Sequence, residues 1–165
     1  MKFLSKLKIY WIYIILLSLT SVVGLAKLKA KNDFQMGNPA SNYCLKKEGY
    51  LERYSGQKGE IGICWIGQGG IEEWTFYQYS HGSGEKLKAI ELLLKNSREN
   101  GPVHQESARK QCGDLGGKIE ILASQERPDL NLTLCRFSDQ SALESWTLFY
   151  GASHFALLKK LLIEE

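Results

Sequence analysis

The sequence predicts an α+β fold made of two tandem helix–β-hairpin–helix repeats, each stapled by a disulfide. Three observations carry that prediction. The stretch GEIGICWIGQGGIEEWTFY at residues 59–77 returns in worn form as LNLTLCRFSDQSALESWTLFY at residues 130–150. Both copies place a cysteine inside a β-prone run, then a polar turn, then a Glu-x-Trp leading into aromatic residues. The chain also opens with a segment patterned for export, which gives its four cysteines a setting in which disulfides persist.

The opening segment comes first in order. Residues 1–8 carry Lys2, Lys6 and Lys8 and no acid, residues 9–23 are strongly apolar, and Gly24-Leu25-Ala26 supplies small residues at a cleavage site. Charged start, apolar middle and small-residue end make residues 1–26 a signal peptide. An uncleaved membrane anchor is the alternative, since 18 residues reach the lower limit of a bilayer span. The next cysteine is Cys44, so the pattern does not suit a lipid-modified N-terminal cysteine. Either reading places the body outside the cytoplasm, in the periplasm, the cell envelope or the medium.

The alignment of the copies is ungapped from Cys44 on Cys112 through Gly49 on Gly117, Leu51 on Ile119 and Glu52 on Glu120. Cys64 meets Cys135 after a three-residue insertion; Glu72 and Trp74 meet Glu144 and Trp146 after one more. Ordered matches of this kind indicate duplication. Repeat 1 is then 37–83, an amphipathic helix and linker fill 84–103, a degenerate repeat 2 covers 104–154, and a C-terminal amphipathic helix covers 155–165.

Within a unit, Ser41 is expected to cap a short helix that ends at Gly49 in the left-handed conformation. Residues 50–54 and 60–66 read as the two strands of a hairpin around the SGQKG turn. Residues 71–79 are ambiguous between strand and helix, although Glu72 and Glu73 suit a helix's first turn. Leu87, Ile90, Leu93 and Leu94 share one helical face, and Gly101-Pro102 ends that helix. The second unit repeats the pattern, with Ser107 as cap and Leu157, Leu158, Leu161 and Leu162 in its last helix. Because a lone hairpin is marginal, the two hairpins are expected to join in one four-stranded antiparallel sheet.

Four cysteines allow three connectivities. Duplication makes pairing within each repeat, Cys44–Cys64 and Cys112–Cys135, the simplest. Each such bridge closes a loop of about twenty residues and contributes about 3 kcal/mol. No cysteine pair has metal-ligand spacing and there are three histidines, so no metal and no cofactor is expected.

Charge narrows the partners. The chain has 21 basic and 18 acidic residues, and removing residues 1–26 takes away three Lys and no acid, leaving 18 of each. That neutrality does not suit a nucleic-acid partner. The candidate binding residues are Glu72, Glu73, Trp74, Glu144 and Trp146: a ring could stack on a sugar or peptide while a carboxylate accepts hydrogen bonds. The competing reading gives the same residues structural work, with Trp in the core and Glu capping a helix or accepting the indole N–H. Adjacent Glu72 and Glu73 point in different directions, Glu52 and Glu120 read as solvated strand residues, and no nucleophile motif is present. The expectation is a non-enzymatic module that binds a protein or an envelope polymer. The alternative is a membrane-active protein using the leader or the Leu-rich C-terminal helix, where Lys159 and Lys160 flank the apolar face.

The segments GNPASNYC (37–44), Gly-x-Leu-Glu (49–52), GICWI (62–66) and IEEW (71–74) together resemble a small bacterial exported domain of unknown function that often bears a hemolysin label. The resemblance covers residues 37–81 well and residues 107–154 as a degenerate copy. It implies a small exported domain marked by the Glu and Trp of the last segment. Members often carry a third Cys before that Glu-Glu-Trp and a fourth after it; Ile71 and His81 stand there in this chain, which fits loss of one disulfide as a pair.

Overall fold

The alternation read in the two hairpins becomes a closed barrel. In the computed structural model, residues 37–57, 59–82, 86–96, 105–127 and 129–164 are described. Residues 38–165 form one compact unit. The leader reading at 1–26 therefore lies outside the described residues, as do the helix stop at Gly101-Pro102 and His104. Among the described residues no helix is long and apolar enough to cross a membrane.

The first half runs α1 (Pro39–Lys46), β1 (Tyr50–Gly56), β2 (Gly59–Ile66), β3 (Gly69–Glu72), α2 (Glu73–His81) and α3 (Lys88–Lys95). The second runs α4 (Gln105–Asp114), β4 (Lys118–Ser124), β5 (Asn131–Arg136), β6 (Ala142–Glu144), α5 (Ser145–Tyr150), a 3-10 turn (Ala152–His154) and α6 (Ala156–Glu164). The strands close in the order β1-β2-β3-β6-β5-β4, with antiparallel neighbours throughout. The expected four-stranded sheet is thus corrected to six strands. The ambiguous stretch at 71–79 is the reason: it is strand up to Glu72 and helix from Glu73, so each half contributes a third, short strand.

Two seams join the halves. At one, Ile71 pairs with Leu143; at the other, Ser55 pairs with Ala123 and Tyr54 with Ser124. Strand alternation sorts the core in two. Tyr54, Ile63, Leu122, Leu134 and Ala142 cluster inside the barrel. The opposite faces of the strands, including both disulfides, Ile71 and Leu143, pack against helix residues such as Phe76, Ile90, Leu93, Leu148, Leu158 and Leu162.

The disulfides are Cys44–Cys64 and Cys112–Cys135, as the pairing within each half predicts. Several local expectations change. Asn38, not Ser41, caps α1, because its Oδ1 accepts from Ala40 N–H at 2.9 Å and Pro39 fits the first turn, which needs no donor. Ser107 likewise lies inside α4. The left-handed residue after α1 is Glu48 (φ 60°), and its counterpart after α4 is Gly116 (φ 81°). Gly49 serves a different purpose: a Cβ there would stand 2.7 Å from Cys64 Sγ and 2.8 Å from Cys44 Sγ.

The amphipathic helices also exchange sides, where each had been expected to serve its own half. Lys88 N–H donates to Asp139 at 2.7 Å and Ala89 N–H to Ser141 Oγ at 3.0 Å, so the β5–β6 turn of the second half caps α3. Asn96, at the end of α3, donates to the carbonyls of Leu148 and Phe149. In return Tyr79 of α2 donates to the Leu162 carbonyl at 2.7 Å, and Leu158 and Phe155 pack on Gly69. Leu87, Ile90 and Leu93 are buried but Leu94 faces out; Leu158 and Leu162 are buried but Leu157 is 61% exposed.

Replacing Gly49 by Ala should cost about 1–3 kcal/mol, since a rigid disulfide cannot yield to the new methyl as a flexible side chain would. Equilibrium denaturation checks this, and an unchanged midpoint would mean that the bridge can move aside.

Candidate functional site

The residues singled out in the sequence cluster where β3 passes into α2 and β6 into α5. Glu72 caps α2: its carboxylate accepts from Trp74 N–H at 3.2 Å, Thr75 N–H at 2.8 Å and the Thr75 hydroxyl at 2.8 Å. Glu144 caps α5 in the same way, accepting from Trp146 N–H at 2.8 Å, Thr147 N–H at 2.7 Å and the Thr147 hydroxyl at 3.0 Å. A side-chain oxygen at this position satisfies donors that a helix start leaves unpaired. The two threonines then reach across the seam. Ala142 N–H of β6 donates to Thr75 Oγ1 at 2.9 Å, and Gly70 N–H of β3 donates to Thr147 Oγ1 at 2.8 Å.

Glu73 is buried and committed elsewhere. It accepts from Asn38 Nδ2 at 2.9 Å and from the Ser41 hydroxyl at 2.6 Å, and Arg53 approaches it at 3.7 Å while donating to Ser41 Oγ at 3.0 Å. Gly62 on β2 makes room for this carboxylate, since a Cβ there would fall within 2.5–2.7 Å of it. The Asn-Pro-Ala-Ser and Glu-Glu-Trp segments are therefore two ends of one hydrogen-bonded cluster. The second half has Ser145 in place of Glu73 and lacks this cluster.

With the carboxylates occupied, the rings remain. Trp74 is 42% exposed, so the expectation that it fills the core is corrected; Trp146 is half-buried. On α2 the Trp74 ring meets Tyr77 edge-on at 5.9 Å, and Tyr77 stacks on His81 at 4.2 Å. Tyr43 of α1 closes the row edge-on to His81 at 4.9 Å. Beside this ridge lies an open groove of about 620 Å³ lined by Tyr77, His81, Lys86, Leu87 and Asp139 among others. Sequence reasoning missed Asn38, Thr75, Tyr77, His81 and Thr147. The repeated Trp-Thr pair was a usable signal for the two threonines; nothing in the spacing pointed to the others. Among the described residues no group of three or more His, Cys, Asp or Glu is placed to hold a metal.

Burial pushes the Glu72 and Glu144 carboxyls above their ordinary value, against the pull of the hydrogen bonds they accept. Glu52 is the opposite case and was misread as solvated: it is 2% exposed inside the barrel. Its burial acts to raise the pKa, but hydrogen bonds from Arg127, Tyr54 and Ser124, with the Arg127 charge, outweigh it and hold the carboxyl below its ordinary value. Glu120, also expected to be solvated, accepts from Arg136 Nε at 3.0 Å.

The geometry defines a mixed α/β, disulfide-stapled six-stranded barrel with an exposed aromatic ridge on one helix. Residues 35–80 match the family model described as Domain of unknown function (DUF333), a span that takes in α1 through most of α2. No curated protein and no solved structure matches the chain.

Glu144→Ala should cost about 2 kcal/mol, a cap loss at the upper end because the freed Thr147 groups are buried. Trp74→Ala should cost under about 1 kcal/mol, as exposed sites do. Chemical denaturation of both tests the division between frame and free surface; a larger loss in the Trp variant would reverse it. A lowered folded-state value means that the Glu52 contribution is present above the unfolded value, 4.5, and fades as pH falls through the folded one. The stability difference between the wild type and Glu52→Gln should therefore shrink below pH 4.5. The raised Glu72 and Glu144 carboxyls carry the opposite sign and are common to both proteins, so they cancel in that difference.

Proposed function

We propose that this chain is a non-enzymatic exported module that binds an envelope polymer or an envelope protein through the Trp74–Tyr77–His81 ridge. The observation that carries the reading is the division within one tripeptide: Glu72 and Glu73 are consumed by the frame, while Trp74 is left open to solvent. An aromatic face beside a polar groove suits a sugar ring or an extended peptide, which bring both apolar and hydrogen-bonding edges. Export is supported by the leader pattern of residues 1–26 and by the two disulfides, which are consistent with an oxidising compartment.

Duplication is part of the proposal. In the alignment of the copies Ile71 matches Leu143 and Ser55 matches Ala123, and these two pairs stand at the two seams, with Tyr54–Ser124 beside the second. Pairing of each residue with its own counterpart is what a two-fold relation between the halves produces. The reciprocal bonds of Thr75 and Thr147 follow the same rule.

A second reading, membrane activity, is the one the hemolysin label attached to similar domains suggests. Its support is the 61% exposure of both Leu157 and Ile163 on α6. The two readings separate by experiment. Trp74→Ala should reduce co-sedimentation with purified cell-wall sacculi at least fivefold, and Leu157→Ser with Ile163→Ser should leave it unchanged. Dye release from liposomes that disappears in the Leu157/Ile163 variant would favour the membrane reading instead.

A further inference from the structure

A cavity of about 450 Å³ opens at one mouth of the barrel, between the tip of the β1–β2 hairpin and the β5–β6 turn. Ile61, Ile119 and Leu122 give it aliphatic walls; Glu120, Arg136 and Gln140 give it a polar side. The polar side is fixed in place. Arg136 Nε donates to both Glu120 oxygens at 3.0 Å and Nη1 donates to the Gln140 carbonyl at 2.8 Å. Nη2 has no protein partner among the described residues, so a guanidinium held by its other nitrogens presents spare donors to the cavity. The volume lies within the roughly 300–1,000 Å³ of small-molecule sites, and aliphatic walls with a few fixed polar groups are their usual lining.

The halves differ at this place. Leu122 stands ten residues after Cys112, where Tyr54 stands ten after Cys44; Arg136 follows Cys135 as Trp65 follows Cys64. Tyr54 is buried and Trp65 packs on the same inner cluster, filling their end of the barrel with two large aromatics. The shorter Leu122 and the Arg136 side chain drawn over to Glu120 leave room at the other end. Tyr54 and Trp65 fall within the residues that match the family model, and Leu122 and Arg136 outside them.

We propose that this mouth is a binding site for a small uncharged amphiphile: an aliphatic body against Ile61, Ile119 and Leu122, and an amide-type end that accepts from Arg136 and donates to Glu120. The charge of the bound end follows from the pair. Arg136 is already neutralised at contact by Glu120. A carboxylate would meet Glu120, and an ammonium would meet Arg136, at close range where like charges repel. A neutral end with one donor and one acceptor meets both without that cost.

The site uses neither Trp74 nor His81 and stands independently of the function proposed above. The test is a methyl-NMR titration of the full chain with hexanamide, hexanoate and hexylammonium, which share a body and differ in the charge of the end. Hexanamide should give saturable shifts at the Ile61, Ile119 and Leu122 methyls, with the two charged probes at least fivefold weaker. Leu122→Tyr, which restores the bulk present at Tyr54, should abolish the shifts while keeping a cooperative thermal transition. Equal binding of all three probes, or no saturable shift at those methyls in the wild type, overturns the proposal, and this arm decides it even if the variant does not fold.

Discussion

The structure depends on a hydrogen-bond exchange at the β3–β6 seam. Each short strand turns directly into a helix, and the Glu at the turn caps that helix while orienting a threonine hydroxyl. The hydroxyl oxygen then takes a strand N–H from the other half. One side chain therefore ends a strand, starts a helix and completes the neighbouring strand's bonding. Buried backbone donors need partners, and each half supplies one that the other lacks. This explains why the seam needs only one paired residue on each strand to close a barrel.

The remaining architecture keeps that exchange in register. Each disulfide ties the first helix of a half to its second strand, against a glycine that allows the sulfurs to approach the backbone. The amphipathic helices cross over, α3 taking caps from the second half and α6 packing on the first. Glu73, Asn38, Ser41 and Arg53 fasten α1 to α2 in the first half. The same place in the second half has Ser145 and is held by packing instead.

Much of this was legible in the chain. The hairpins followed from alternation, and the disulfide pairing from the order of the cysteines in two matched blocks. What sequence reasoning missed involved long-range partners. Ser41 resembles a cap and proves to be a donor to Glu73, because Asn38 directly before Pro39 fits the helix start better. Residues 71–79 carry the signal of both a strand and a helix because they contain one of each. Glu52 alternates as a solvent-facing strand residue would; only barrel closure turns that face inward, where Arg127 and Ser124, more than seventy residues away, compensate its charge. The exposure of Trp74 was likewise unreadable, since it follows from Glu72 fixing the direction in which α2 starts.

The meeting of the first and second halves at two seams bears on the minimum length of chain that can hold this shape. A polypeptide ending after α2 would present open strand edges at β1 and β3, and its Gly70 N–H would lack the hydroxyl oxygen of Thr147. Two separate polypeptides supplying these halves would have to meet by an association that weakens on dilution. Carrying both halves on one chain removes that dependence, because the tether holds them at an effective concentration of the order of millimolar. It also frees them from identity. A barrel built from two copies of one chain must have two equal ends, whereas this one fills one end with Tyr54 and Trp65 and leaves the other open.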